Sequence, residues 1–288
     1  QAEMELVAQT NGITLFTGTF GAQLRSVVEM YSGQMRPGDI YLTNDPYEGG
    51  THACDFAVIR PIFDGEALIA YALNVAHWVD VGGAVPGSLP PNATSAFQEG
   101  IRLSRVRLAR EDALSDEIVR IIRDNTRLPE IAMGDLNAQV ATIRIAERRL
   151  HEVLRRYGSK TLETCFRAII DDAAKRSRSF IAALPDGEYQ ARDVVDGDGV
   201  TDDPIPVEVR VTISGEALDV DFTGCPPSTA GPINCGTGAL HSAVKSVFKA
   251  LVAPHEPSNE GWFRPLTVTI PPGTIFSAEK PAPTGWYY

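Results

Sequence analysis

The chain has 288 residues, 43% of them hydrophobic, a formal charge of −11 and four cysteines. That length and apolar content suit one large or two modest domains and argue against disorder. The acidity, with arginines spread along helical stretches instead of clustered with aromatics, argues against nucleic acid and anionic membranes as partners; the cysteines show no C-x-x-C spacing, which fits a reducing, cytoplasmic setting without a zinc ribbon or dense disulfide framework. The longest apolar run, residues 67–76, is far short of the ~20 residues that span a bilayer.

Residues 1–19 read as strand and loop. Residues 20–31 predict a helix, because Leu24, Val27, Val28 and Tyr31 recur at three- and four-residue steps and Gly33 can stop it. Residues 38–44 form a short strand leading into an Asn44-Asp45-Pro46 turn, where proline biases Asp45 towards extended geometry. Asp45 is a candidate ligand, general base or acceptor orienting an imidazole, or a plain turn residue.

Residues 56–63 and 66–77 are rich in apolar and β-branched residues, and Asp64-Gly65 between them is a strong hairpin signal. If Phe63 faces Glu66, facing residues have numbers summing to 129, and His52 faces His77. Opposed Cβ atoms lie roughly 4.5–5.5 Å apart, close enough for two imidazoles to share an ion. Asp55 is the natural third ligand. In an unbroken strand it would point to the other face from His52, so this arrangement needs a bend or bulge near Gly49-Gly50. The alternative is a pair of hydrogen-bonded strand-end histidines. Cys54 beside them reads as a small buried hydrophobe in preference to a reactive thiol. Asp80, three residues after His77, carries the same alternatives as Asp45.

Residues 81–93 are dense in Gly and Pro and predict a rigid loop near the site. No G-x-x-x-x-G-K-[ST] or strand-borne G-x-G-x-x-G occurs, so no nucleotide site is readable. Residues 113–184 predict helices: Ile118, Ile121 and Ile122, then 130–157 closed by Gly158 with Arg155 and Arg156 in the last turn, then a helix capped by Ser159. Arg144, Arg148 and Arg149 read as a solvated or intersubunit face, and His151 as a surface residue. Beyond Gly187 the period becomes two, with a hairpin over 205–213 and 217–222 around Ser214-Gly215. A Gly/Pro-rich stretch, 223–238, leads into a helix over 239–252, where Asn234 reads as a cap or as a pocket-lining residue and His241 as structural. The expected fold is α+β: antiparallel hairpins and a mixed sheet packed against a helical middle. The expected regions are a β-rich 1–112 with the metal site, a helical 113–187 and a second β-rich 188–288 with one helix.

Asn44-Asp45-Pro46-Tyr47-x-Gly49-Gly50-Thr51-His52-x-x-Asp55, Ala76-His77-x-x-Asp80-x-Gly82-Gly83, the Pro86-Gly87-Ser88-x-Pro90-Pro91 loop and Glu99-Gly100-Ile101-Arg102-Leu103 together resemble the hydantoinase B/oxoprolinase family, which also contains the large subunits of acetone and acetophenone carboxylases. Asp221-Phe222-Thr223-Gly224-Cys225, Gly231-Pro232-Ile233-Asn234-Cys235 and Asn259-Glu260-Gly261-Trp262-Phe263-Arg264-Pro265-Leu266 extend the resemblance along the chain. It implies a divalent metal (Zn, Mn or Fe) on His52, Asp55 and His77, with Asp45 and Asp80 as candidate catalytic or orienting carboxylates. It also implies a metal-bearing subunit of a cyclic-amide hydrolase working on a small molecule, in a hetero-oligomer with a hydantoinase A-like subunit that binds ATP and Mg. A ketone carboxylase subunit and a non-catalytic scaffold are the alternatives. The family implies further parts before residue 1 and after residue 288, including another acidic ligand. Trp78 stands where the hydantoinase branch often has a second His, and the end from Pro283 to Trp286 and on through Tyr287 and Tyr288 departs from that branch's Gly-rich run.

Overall fold

The structure, a computed structural model, describes residues 4–10, 12, 16 and 18–286. The expectation for residues 1–19 therefore lies largely outside the described residues, as do Tyr287 and Tyr288. The fold is α+β, with two sheets and a helical segment between them in sequence.

Helix α1 (Phe20–Met30) lays Leu24, Val27, Val28 and Tyr31 against Met35, Tyr41 and Ile59, as the spacing requires. The first sheet is antiparallel, in the order β3-β2-β1-β4-β5, from β1 (Ile40–Thr43), β2 (Asp55–Asp64), β3 (Ala67–His77), β4 (Val106–Arg110) and β5 (Ala113–Leu114). Strand β1 is buried throughout because both faces are covered. Tyr41 points to the α1 side, while Ile40 and Leu42 join the opposite core with Phe56, Val58 and Ile62.

The β2–β3 register differs from the sequence expectation. Asp64 pairs with Ala67, so the two-residue turn is Gly65-Glu66, and glycine comes first where its φ of 61° is needed. A bulge between Ile62 and Phe63 then shifts the pairing once more, and from Ile62 back to Asp55 the partners run Ala70 to His77. Asp55, not His52, faces His77.

Helix α2 (Asp116–Asp124) is capped by Ser115, whose hydroxyl accepts from the Ile118 N–H. Helix α3 (Pro129–Tyr157) packs Ala132, Leu136, Val140 and Ile143 on the first sheet. Helix α4 (Ser159–Ile181) gives Ala173 and Ile181 to the core of the second. Gly158, at φ 79°, fills the break between α3 and α4, so Ser159 is already helical and makes no side-chain cap, contrary to expectation. His151 is not a free surface residue either. It is half-buried, and its ring Nε2 lies 2.8 Å from the Phe63 carbonyl, which ties α3 to the hairpin.

The second sheet, β6-β7-β8-β9, comprises β6 (Gly187–Val195), β7 (Ile205–Ser214), β8 (Ala217–Asp221) and β9 (Leu266–Thr269). It is mixed, since β9 runs parallel to β8. Its β7–β8 turn also begins at the glycine, Gly215, with Ser214 paired to Ala217.

Helix α5 (Thr237–Val252) brings the two halves together. A Cβ on Gly236 would lie 2.1 Å from the Pro46 carbonyl oxygen, and one on Gly238 2.5 Å from that of Gly49. Only glycine lets the start of α5 approach this loop so closely. No helix among the described residues is long and apolar enough to cross a membrane.

Candidate metal centre

The site is built on the loop between β1 and β2. Asp45, in extended geometry, accepts from the Tyr47 N–H at 3.1 Å and starts a single 3-10 turn with Pro46 at its first position. Asn44, fully buried, donates from Nδ2 to the carbonyls of Ala53 (2.6 Å) and Ile101 (2.8 Å) and accepts from the Leu103 N–H at 2.7 Å. It therefore pins the loop to the 101–103 segment. A backbone turn, Asp55 N–H to His52 carbonyl at 3.0 Å, then aims His52 at the first residue of β2.

Asp55 is 1% exposed and receives everything around it. Its Oδ2 accepts from the Thr51 hydroxyl in a short hydrogen bond, from the His52 N–H at 2.9 Å and from His52 Nδ1 at 2.8 Å; its Oδ1 faces His77 Nδ1 at 2.7 Å. The ligand atoms of His52, Asp55 and His77 all lie within 4.8 Å of one another. The rings are edge to face, with centroids 6.2 Å apart. His52 is buried while the His77 side chain is 40% exposed, so the cluster opens on the His77 side. Burial alone would raise the Asp55 carboxyl, but hydrogen bonds from His52, His77 and Thr51 outweigh it and hold it far below the usual carboxylate range. The bond to Asp55 raises the His77 pKa against the opposing effect of burial.

Behind His77, Trp78 stacks on Phe56 with centroids 4.0 Å apart, and its N–H donates to the Cys54 carbonyl at 2.8 Å. Its indole Nε1–H donates to Gln139 Oε1 at 2.8 Å, and Gln139 Nε2 donates to the Phe56 carbonyl (2.8 Å) and to Asn74 Oδ1 (2.9 Å). Gln139 escapes motif reading, although a glutamine among Leu136, Val140 and Ile143 on the buried stripe of α3 is a usable signal.

Neither Asp45 nor Asp80 joins the ligating group. Asp80 accepts from the N–H groups of Gly82 (3.1 Å), Gly87 (3.0 Å) and Arg127 (2.9 Å) and from Arg127 Nη1 (2.9 Å). Against the effect of burial, these bonds lower its pKa to about 2, and they fasten the Gly/Pro loop to the start of α3. Cys54 is fully buried, and burial next to Asp55, Asp80 and Glu99 pushes its thiol up to about 12, which makes it inert. Asn234 neither caps α5, whose N-cap is Gly236, nor opens to a pocket. It is buried, and its amide ties the carbonyls of Thr229, Gly231 and Pro283 together. Half-buried His241 is held below its ordinary pKa by burial and by Lys245.

Glu99 is a second residue that motif chemistry does not single out. Its buried carboxylate accepts from the N–H groups of Thr284 and Gly285, both at 2.7 Å, and Tyr47 donates a short hydrogen bond to the Ala282 carbonyl. Burial raises the Glu99 pKa against those donors.

The sequence model of the hydantoinase B/oxoprolinase family matches residues 1–288. The chain is 32% identical over 273 residues to a putative D-/L-hydantoinase component of Pseudomonas sp. (strain NS671), covering 91% of this chain and 46% of that protein. It superposes on the crystal structure of the ATP-dependent caprolactamase from Pseudomonas jessenii with TM-score 0.91 at 27% identity, over 97% of this chain and 48% of that one. An acetone carboxylase structure shares the fold at TM-score 0.88 and 20% identity, over 98% of this chain and 39% of that one. The chain thus spans about half the length of the bacterial and archaeal curated relatives it matches and 22–24% of the eukaryotic ones. The chain belongs to the hydantoinase B/oxoprolinase family.

Proposed function

We propose that this chain is the metal-bearing subunit of an ATP-dependent enzyme that opens cyclic amides such as hydantoins, 5-oxoproline or lactams, with ATP bound by a hydantoinase A-like partner. The observation that carries it is the convergence of His52, Asp55 and His77 within 4.8 Å. The donor set fits a divalent ion. Its Nδ1···O separations of 2.7 and 2.8 Å keep these atoms within the ~4 Å that ligands each about 2.0–2.2 Å from one shared ion would allow. Two imidazoles and a carboxylate suit Zn, Mn or Fe. Bound there, such an ion polarises a carbonyl or lowers the pKa of water.

The chain's own residues do the rest. Asp55 orients both rings, and Gln139, through Trp78, holds the end of β3 that carries His77. Asp80 positions the Gly/Pro loop beside them. Asp45 sets the loop that delivers His52 and is the carboxylate left to assist proton transfer. A ketone carboxylase subunit is the second reading, kept because Trp78 stands where the hydantoinase branch often has a second His. Co-expression with the partner tests both: ATP-dependent ring opening without bicarbonate supports the hydrolase, and bicarbonate-dependent carboxylation of ketones replaces it. The isolated chain should bind no Mg-ATP by calorimetry. Micromolar binding would refute the division of labour between subunits.

A further inference from the structure

Among the described residues Arg102 makes no ion pair. Its guanidinium carbon lies 5.6 Å from the centroid of the Tyr47 ring and 5.4 Å from that of Phe97. Its Nη1 donates to the Ala96 carbonyl at 3.2 Å, while its Nε is buried without an acceptor. Among the described residues, one of its five N–H donors has a hydrogen-bond acceptor. Among the described residues no carboxylate lies within 4 Å of it, in a chain of charge −11. Glu99, the nearby acid that acts on it, has its carboxylate turned to the Thr284 and Gly285 N–H groups. Asp45 and Glu99 both act electrostatically on Tyr47 from the same neighbourhood.

A second cation points the same way. Lys280 Nζ lies 5.7 Å from the centroid of the Phe97 ring, the ring that also holds Arg102, so the two cations are at most about 11 Å apart. Phe97 itself is 72% exposed, an unusual degree for a large aromatic flanked by two cations. The backbone that carries Arg102 adjoins the loop of the candidate metal centre, because Asn44 hydrogen-bonds the carbonyl of Ile101, which precedes Arg102, and that of Ala53, which follows His52.

A planar guanidinium held by aromatic faces matches an oxyanion, and two cations suit a doubly charged phosphoryl group better than a carboxylate. We propose that Arg102, supported by Lys280, forms a subsite beside the metal centre that takes the phosphoryl group of an activated cyclic-amide substrate. This rests on the ATP-dependent reading above and adds one step to it: on the partner the cyclic-amide oxygen takes the γ-phosphoryl group of ATP, and ADP leaves. Arg102 acts by binding and orienting that group.

The test is calorimetric titration of the full chain, kept metal-free with chelator, with inorganic phosphate and separately with acetate. Phosphate should bind, and more tightly than acetate. Arg102→Gln should weaken phosphate at least about tenfold, Lys280→Gln at an exposed position a fewfold, and Arg149→Gln on the exposed face of α3 not at all. Unchanged phosphate affinity in Lys280→Gln and in folded Arg102→Gln, acetate binding as tight as phosphate, or no phosphate binding to the wild type would each overturn the subsite. Because no metal is present, phosphate binding through Arg102 in a chain that takes up no divalent ion would refute the metal centre and keep the subsite. Metal uptake without phosphate binding would do the reverse.

Discussion

Replacing Gln139 by Leu removes three hydrogen bonds while nearly preserving volume. The indole Nε1–H of Trp78 loses its acceptor, and the Phe56 carbonyl and Asn74 Oδ1 lose their donor, all at 2.8–2.9 Å in the native chain. The Asn74 Nδ2 bond to the Gln139 backbone carbonyl survives. Each buried group left unpaired costs about 1–3 kcal/mol, and the added apolar surface returns about 1–2 kcal/mol. The net expectation is a loss of about 3 kcal/mol. Trp78 also stacks on Phe56 and is joined to His77, so metal affinity should fall about 10- to 100-fold, as when an outer partner of a ligand is removed. Urea unfolding followed by tryptophan fluorescence and far-UV circular dichroism measures the first quantity, with a midpoint lower by about 1 M. A Gln139→Leu chain within 1 kcal/mol of wild type would refute the view that this network holds the site.

The pH dependence of the site follows from two opposite shifts. Asp55 is depressed, so its contribution is complete above the ordinary 3.8 and is lost only as pH falls through its much lower folded value. His77 is raised above 6.5, so in the metal-free chain its pairing contributes fully below 6.5 and is lost as pH rises through the raised value; stability by urea should therefore decline as pH rises above 6.5, and a rise would contradict the pairing. Metal uptake has the opposite sense, because the ion must displace the His77 proton: affinity should drop about tenfold per unit below the raised pKa, and a flat profile would exclude His77 as a ligand. At Gly238, alanine is the better helix former, yet its Cβ would lie 2.5 Å from the Gly49 carbonyl. Gly238→Ala should lose about 1–3 kcal/mol in urea, whereas exposed Thr237→Ala should not, and equal stabilities would mean that the loop yields freely.

The three candidate ligands are legible in the sequence because they lie in short motifs bounded by glycine and proline, and the helices because their apolar stripes are local. The register is not. Placing glycine first in the turn moves the pairing sum from 129 to 131, and the bulge at Ile62/Phe63 moves it to 132. The sequence calls for an irregularity beside Asp55 to swing it towards the histidines; the bulge lies at the far end of β2 instead, and from there it brings Asp55 directly opposite His77. A bulge of this kind is set by packing across the sheet and has no two-residue signature. Long-range partners are equally invisible. Asn44 reaches residue 101, Gln139 reaches Phe56, and Glu99 reaches Thr284, each through a single polar side chain whose partner no local spacing announces. The parallel strand β9, short and far from β8 in sequence, belongs to the same class.

The central claim is that His52, Asp55 and His77 jointly hold a divalent ion, and the most direct test is metal content after equilibration with Zn or Mn and exhaustive dialysis, measured by mass spectrometry on the wild type and on His52→Ala, Asp55→Asn and His77→Ala. The wild type should retain about one ion per chain and each variant markedly less, with His77→Ala losing at most about 1–2 kcal/mol of metal-free stability because its side chain is 40% exposed. A wild-type chain that retains no ion, or folded variants that retain as much as the wild type, would contradict the account.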